Sequence, residues 1–156
     1  EIWGTVLNNG LLEVLPDEMF KPETAEYLKR FGEPFINNGI NLDEALIERR
    51  RLRRLWSSFL TDYSVCIGPT WSNLPWPIDT DLDPVKGDSA LKESFIFIAP
   101  GNCLGIPSVA LPMGVADGLP TGIQIYSELY REDLCLLAAE LIEQERDCPT
   151  PIDPVK

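Results

Sequence analysis

Two short apolar runs, PSVALPM at residues 107–113 and TGIQIYS at 121–127, flank the connector GVADGLP, and an amphipathic pattern follows them directly. Runs this short, bounded by glycine and proline and separated by Asp117-Gly118, read as antiparallel strands joined by a tight turn. In REDLCLLAAELIEQER, Leu134, Leu137, Ala138, Leu141 and Ile142 then recur at i, i+3, i+4, i+7 and i+8 behind an acidic first turn. That spacing predicts a helix with one apolar stripe, the most strongly patterned in the chain. Gly101, Gly105, Gly114, Gly118 and Gly122 punctuate this region wherever the backbone must turn or approach closely. Asn102 and Gln124, set amid apolar sequence, read as buried amides that tie loops together.

Upstream, NNGINLDEALIERRRLRRLWSSFLTDY opens with Asn41 and, three residues on, Glu44, the spacing of a capping box. Ala45, Leu52, Leu55, Trp56, Phe59 and Leu60 make its apolar stripe, so a long helix is expected over about residues 42–61. It feeds SVCIGPT at 64–70, a strand-forming run closed by Gly68-Pro69. A helix leading into a short buried strand is an α/β arrangement. The segment WSNLPWPIDTDLDPVKGD at 71–88 has no period and reads as a loop, and its two tryptophans argue against disorder. LKESFIFIAP after it fits either a short helix or an extended segment. Nearer the start, Pro22, Glu23 and Glu26, then Lys29, Arg30 and Gly32, mark the two ends of one short helix. The first twenty residues, with turn signals at Asn9-Gly10 and Pro16-Asp17, read as irregular or at most a short helical start.

Composition narrows the function classes. The chain has 156 residues, the size of one ordinary domain, and a net charge of −12. The first sixty residues hold eight basic and ten acidic side chains, a balance of −2, whereas the rest hold five and fifteen, a balance of −10. A field of that sign repels phosphate backbones and anionic membranes. Five arginines at Arg49, Arg50, Arg51, Arg53 and Arg54 could contact phosphates, but beside the apolar stripe they read as a solvated helix face. No nucleic-acid partner is therefore expected. No run approaches the ~18 apolar residues of a membrane span, and the sequence opens at Glu1 without a basic-then-apolar stretch, so a targeting signal is expected to be absent or already removed, and the chain reads as soluble with no membrane partner.

Histidine is absent, and Cys66, Cys103, Cys135 and Cys148 form no C-x-x-C pair, so a zinc site is not expected. Free thiols in apolar runs suggest a cytoplasmic chain. Without histidine a Ser-His-Asp triad cannot form within the chain. Serine with lysine stays formally open through Ser89 or Ser94 near Lys92, yet those lysines lie in polar surroundings that give no reason for a neutral amine.

PGNCLGIPSVALPMGVADGLPTGIQIYSELYREDLCLLAAELIE resembles the carboxyl-terminal part of the amidase signature family, with its asparagine, small-residue strand, glycine-leucine-proline, glycine, glutamine and closing helix. IERRRLRRLWSSFLTDYSVCIGPT is similar to that family's arginine-bearing helix, strand and Pro-Thr, and CPTPIDP at 148–154 to its tail. The resemblance covers roughly the second two-thirds of the chain. It implies an α/β fold with a short mixed sheet flanked by helices. Residues 1–156 would form one carboxyl-terminal fragment, helical or irregular over 1–61, with strand, cleft loop, strand pair and closing helix over 62–156.

The family's activity is amide hydrolysis by serine acyl transfer, with the serine, cis-serine and lysine in an amino-terminal half. No catalytic residue is therefore expected here, and the chain alone should be inactive. No metal or organic cofactor is implied. The expected partners are a small-molecule amide and the amino-terminal remainder of the amidase, and an unpaired sheet edge with an apolar face should also favour self-association. By analogy, Thr70, Trp71, Trp76, Phe97 and Asn102 are the substrate-binding candidates.

Two departures from the family pattern stand out. Ser64 occupies a position where the family often has aspartate, and SFIFIAP is apolar where members acting on glutamine tend to carry an acid. The second suggests an apolar acyl or aryl substrate. The rival reading is a non-catalytic module that binds a small ligand or a protein partner.

Overall fold

The computed structural model describes residues 2–8, 19–36 and 39–145. The turn signals at residues 9–10 and 16–17 and the 148–154 motif lie outside them. Three helices come first. Helix α1 (Ile2–Asn8) forms where at most a short helical start was expected. Helix α2 (Pro22–Ile36) begins at the expected proline but runs through Gly32. Gly32 is buried and is not among the glycines with positive φ, so the helix continues through it instead of stopping there. Helix α3 (Leu42–Phe59) opens with the predicted capping box: Glu44 N donates to Asn41 Oδ1 at 2.9 Å, and Asn41 N to Glu44 Oε2 at 3.3 Å.

Strands β1 (Cys66–Pro69), β2 (Ser108–Ala116) and β3 (Leu119–Tyr126) form a sheet of order β1-β3-β2. The β2–β3 hairpin turns at Asp117 and Gly118, whose φ values of 51° and 78° suit the two central positions of a type I′ turn. A bulge falls between Pro112 and Gly114, beside the proline that has no N–H to give to the ladder. Every pairing among the described residues is antiparallel, in place of the mixed pairing expected of this short sheet. The reason is topological. Strands β1 and β2 do run parallel, but β3 sits between them and pairs with both.

Helix α6 (Glu132–Glu145) covers one face of the sheet. Leu111, Ile125 and Ala139 form the buried cluster, with Val65, Val109, Ile123, Ala138 and Ile142 packed around it. The expected stripe placed Leu137 and Leu141 inside, but they are 52% and 55% exposed, and Cys135 and Ala139 turn inward instead. Their small side chains bring the helix close to the sheet: Cys135 Sγ lies 3.5 Å from the Ile125 carbonyl and 3.2 Å from Ser127 Oγ. Among the described residues Cys66, Cys103 and Cys135 are free thiols.

The opposite face meets α3 and the short helix α5 (Ile98–Leu104). Tyr126 is the hinge of this contact. Its ring stands edge-on to Trp56 and against Gly101, and its hydroxyl donates to the Phe97 carbonyl at 2.6 Å. Burial raises the Tyr126 pKa, which keeps that donor protonated. Trp56 Nε1 in turn donates to Ser127 O at 3.2 Å.

Helix α5 ends at Gly105, which has φ 64° and closes the last turn through bonds from its own N–H and that of Ile106 to Gly101 O. The free carbonyls of that end are taken by α3: Arg49 Nε donates to Cys103 O, and Arg53 Nε to Leu104 O at 2.5 Å. The arginine cluster is thus only partly the solvated face that was expected. Arg51 pairs with Glu48 at 2.6 Å, and Arg50 and Arg54 are exposed. No helix among the described residues is long and apolar enough to cross a membrane.

Candidate functional site

Strand β1 is prolonged by one bond, Thr70 N to Gly122 O at 3.1 Å, which fixes where the next loop leaves the sheet. The loop then folds over its own aromatic rings. Trp71 meets Trp76 edge-on at 5.2 Å between centroids and Phe95 at 5.3 Å. Ser94, wholly buried at the end of helix α4 (Lys86–Ser94), anchors the loop: Asn73 Nδ2 donates to its hydroxyl at 3.0 Å and Ser72 Oγ to its carbonyl at 3.4 Å.

The far end of the loop is ordered as well. A 3-10 turn at Thr80–Leu82 leads into α4, so the region expected to be loop through Asp88 becomes helical at Lys86. Arg30 of α2 holds it, with Nη2 donating to Asp81 O at 3.1 Å and Nε 3.3 Å from Asp88 Oδ1. Gly87 passes so close to the turn that a Cβ would lie 2.6 Å from the Asp81 carbonyl oxygen.

Asp83 starts α4 by accepting from the N–H groups of Val85 and Lys86, both at 2.9 Å. These backbone bonds, Lys86 first, hold its pKa below 3.8, with the Lys86 and Arg30 charges as lesser causes. A carboxylate with a depressed folded pKa stabilises the fold above its unfolded value and loses that contribution as pH falls through the folded one. The stability gap between wild type and Asp83→Ala, followed by urea unfolding, is expected to hold steady above about pH 5 and to close below about pH 4. A gap unchanged down to pH 2 would show that the charge is not the source.

Between the loop and the strand ends lies a cavity of about 810 Å³. Thr70, Trp71 and Trp76 form its wall, Ala110, Pro112 and Gly122 come from the sheet, and among the described residues none that lines it is ionisable. Two polar atoms on its lining residues, Thr70 Oγ1 and Trp76 Nε1, are buried with no hydrogen-bond partner among the described residues.

Three of the five sequence candidates therefore share one site. The other two lie elsewhere. The Phe97 ring packs on Gly68, 3.0 Å from where a Cβ would stand, and Asn102 is exposed on α5; neither lines the cavity. Gln124, expected to be a buried tie between loops, bonds across the sheet to Ser108 Oγ at 2.9 Å. Sequence reasoning missed Pro112, Ser72 and Asn73. The polar pair Ser72-Asn73 inside an otherwise apolar loop was the available signal. The serines weighed as nucleophiles are otherwise engaged, Ser94 with Asn73 and Ser89 with Glu93 Oε1 at 3.3 Å. By itself the cavity can hold and orient an uncharged group, but it offers no activated nucleophile.

The Amidase family model matches residues 8–136, which shows that this α/β chain, with its neutral cleft beside the Pro-Thr strand end, belongs to that family. It is 32% identical over 144 residues to an indoleacetamide hydrolase of Bradyrhizobium diazoefficiens, covering 84% of this chain and 28% of that protein. It is 33% identical over 101 residues to a glutamyl-tRNA(Gln) amidotransferase component of Clostridium kluyveri, covering 65% of this chain and 20% of that one.

Among solved structures, the fold matches a protein of a vestigial complex connected with the origins of an s-triazine catabolic enzyme. That match has a TM-score of 0.65 and 21% identity, over 96% of this chain and 32% of the other. The corresponding glutamyl-tRNA(Gln) amidotransferase component of Thermotoga maritima matches at a TM-score of 0.58 and 21% identity, over 80% and 25%. The chain spans a third or less of the length of each of these relatives.

Proposed function

We propose that the polypeptide to which this chain belongs hydrolyses carboxylic amides by serine acyl transfer, and that these 156 residues supply its carboxyl-terminal scaffold and one wall of the substrate cleft. The observation that carries this reading is the family match together with a formed cavity beside the Pro-Thr strand end. In this division of labour a serine outside the chain attacks the carbonyl, a lysine moves its proton through a second serine, ammonia leaves, and water releases the acid. Thr70, Trp71 and Trp76 hold the acyl side of the substrate. Residues 1–61 and residues 62–156 act as one unit.

A second cavity supports a larger whole. Trp3, Leu52, Leu55, Trp56, Phe59 and Ile96 are among the residues lining an apolar groove of about 730 Å³ between α1, α3 and α5, and Leu55 and Phe59 are 54% and 45% exposed. An apolar surface of this kind is suited to cover by further polypeptide of the same enzyme. The test is release of ammonia from carboxamides. The full-length protein is expected to be active and the 156-residue chain silent. Activity in the chain alone would overturn the division of labour, and a full-length protein that hydrolyses no carboxamide would overturn the reading itself.

A further inference from the structure

Past the end of β1 the cleft loop leaves the sheet ladder, and its Pro75 and Pro77 have no N–H to give. What holds it is narrow. Among the described residues, every hydrogen bond that residues 71–76 make goes to one residue: Asn73 Nδ2 donates to Ser94 Oγ at 3.0 Å, and Ser72 Oγ to Ser94 O at 3.4 Å. Trp71 and Trp76 stand on this same stretch. Their contacts with each other and with Phe95 are apolar and allow a ring to slide, whereas a hydrogen bond sets one register. The two ends of the latch also differ in burial. Ser94 is wholly buried at the end of α4 and Asn73 is exposed, so Ser94 is the fixed partner and the loop is what it holds.

We infer that Ser94 is a positioning residue: acting through Asn73 and Ser72, it sets where Trp71 and Trp76 stand on the cleft wall, an inference that rests on the amidase reading of that cavity. Ser94 itself does not line the cavity. Its loss therefore separates position from stability. In Ser94→Ala the exposed amide of Asn73 turns to water, so the fold loses little while the loop loses its register. Asn73→Ala breaks the same bond from the exposed side and leaves the packing around Ser94 untouched.

The experiment compares the full-length protein as wild type, Ser94→Ala and Asn73→Ala. Two readouts need no substrate: hydrogen exchange of the backbone amides of residues 71–74 and 76, and the circular dichroism couplet of the paired indoles, defined as the signal that wild type loses on Trp76→Phe. Both variants should exchange those amides at least about 10-fold faster and lose most of the couplet, while the thermal midpoint falls by no more than about 4 °C. Kinetics then follow ammonia release from acetamide, butyramide and benzamide. KM should rise about 3- to 10-fold on the amides hydrolysed, with kcat held within about 2-fold. Unchanged exchange and couplet in Asn73→Ala would overturn the inference, and so would a fall in kcat with no rise in KM. If Ser94→Ala does not fold, Asn73→Ala decides alone. If wild type hydrolyses none of the three amides, the amidase reading is what has failed, and exchange and couplet still decide whether Ser94 holds the loop.

Discussion

Ile125→Ala is expected to destabilise the fold by about 2–5 kcal/mol, a large effect for a single truncation. Ile125 is wholly buried near the end of β3, the central strand, paired to Ile67 on one side and Val109 on the other, with α6 closing over it. Collapse into the space is limited, because both flanking strands are fixed by the ladder and the fully buried positions of the helix above are the small Cys135 and Ala139. Against a domain stability of about 5–15 kcal/mol the loss is a large fraction of the whole. Urea unfolding gives the number, with Ile125→Val as a graded control expected near 0.5–1.5 kcal/mol. A cost below about 1 kcal/mol for the alanine variant would mean that the α6 face is not the core.

The second large effect comes from adding an atom. Gly101→Ala should improve helix propensity in α5 by up to about 1 kcal/mol, yet we expect a net loss of about 1–3 kcal/mol. The new methyl would run into the Tyr126 ring. That ring cannot step aside cheaply, since its hydroxyl is bonded to Phe97 O and its edge rests on Trp56. Gly118→Ala is the informative contrast: φ is 78° there but nothing lies within 4 Å of the added carbon, so only the backbone cost of about 1 kcal/mol applies. Thermal unfolding of both variants separates the two causes, and a Gly101→Ala protein as stable as wild type would remove the close approach from the account.

Elements governed by local chemistry were legible in the sequence. The capping box at Asn41 and Glu44, the Asp117-Gly118 turn and the strand pair around it need only near neighbours, and each formed as expected. Orientation was another matter. The α6 stripe was read from its leucines, whereas the sheet selected the smaller Cys135 and Ala139, a choice that depends on how closely two layers pack rather than on helical period. Gly32 looked like a stop because nothing local shows that it will be buried.

The candidate site divides the same way. Thr70, Trp71 and Trp76 lie within seven residues of one another, and the chain's local path is enough to bring them to the same cavity. Phe97 and Asn102 were added from resemblance and from their apolar setting; Phe97, just before α5, packs on Gly68, and Asn102 is exposed on α5, so neither lines the cavity.

The two arginines that α3 lends to α5 also bear on how the molecule comes apart. Seven residues are too few to hold a helix in water unaided, so α5 exists as long as α3 lies alongside with Arg49 and Arg53 on its last carbonyls. Rolling α3 by one residue would swing both guanidinium groups about 100° away together. The two helices, about fifty residues apart in the chain, are therefore expected to open and close as one cooperative unit. Their slowest amide protons should exchange at a common rate, and the floor beneath Tyr126 lasts only as long as that clasp does.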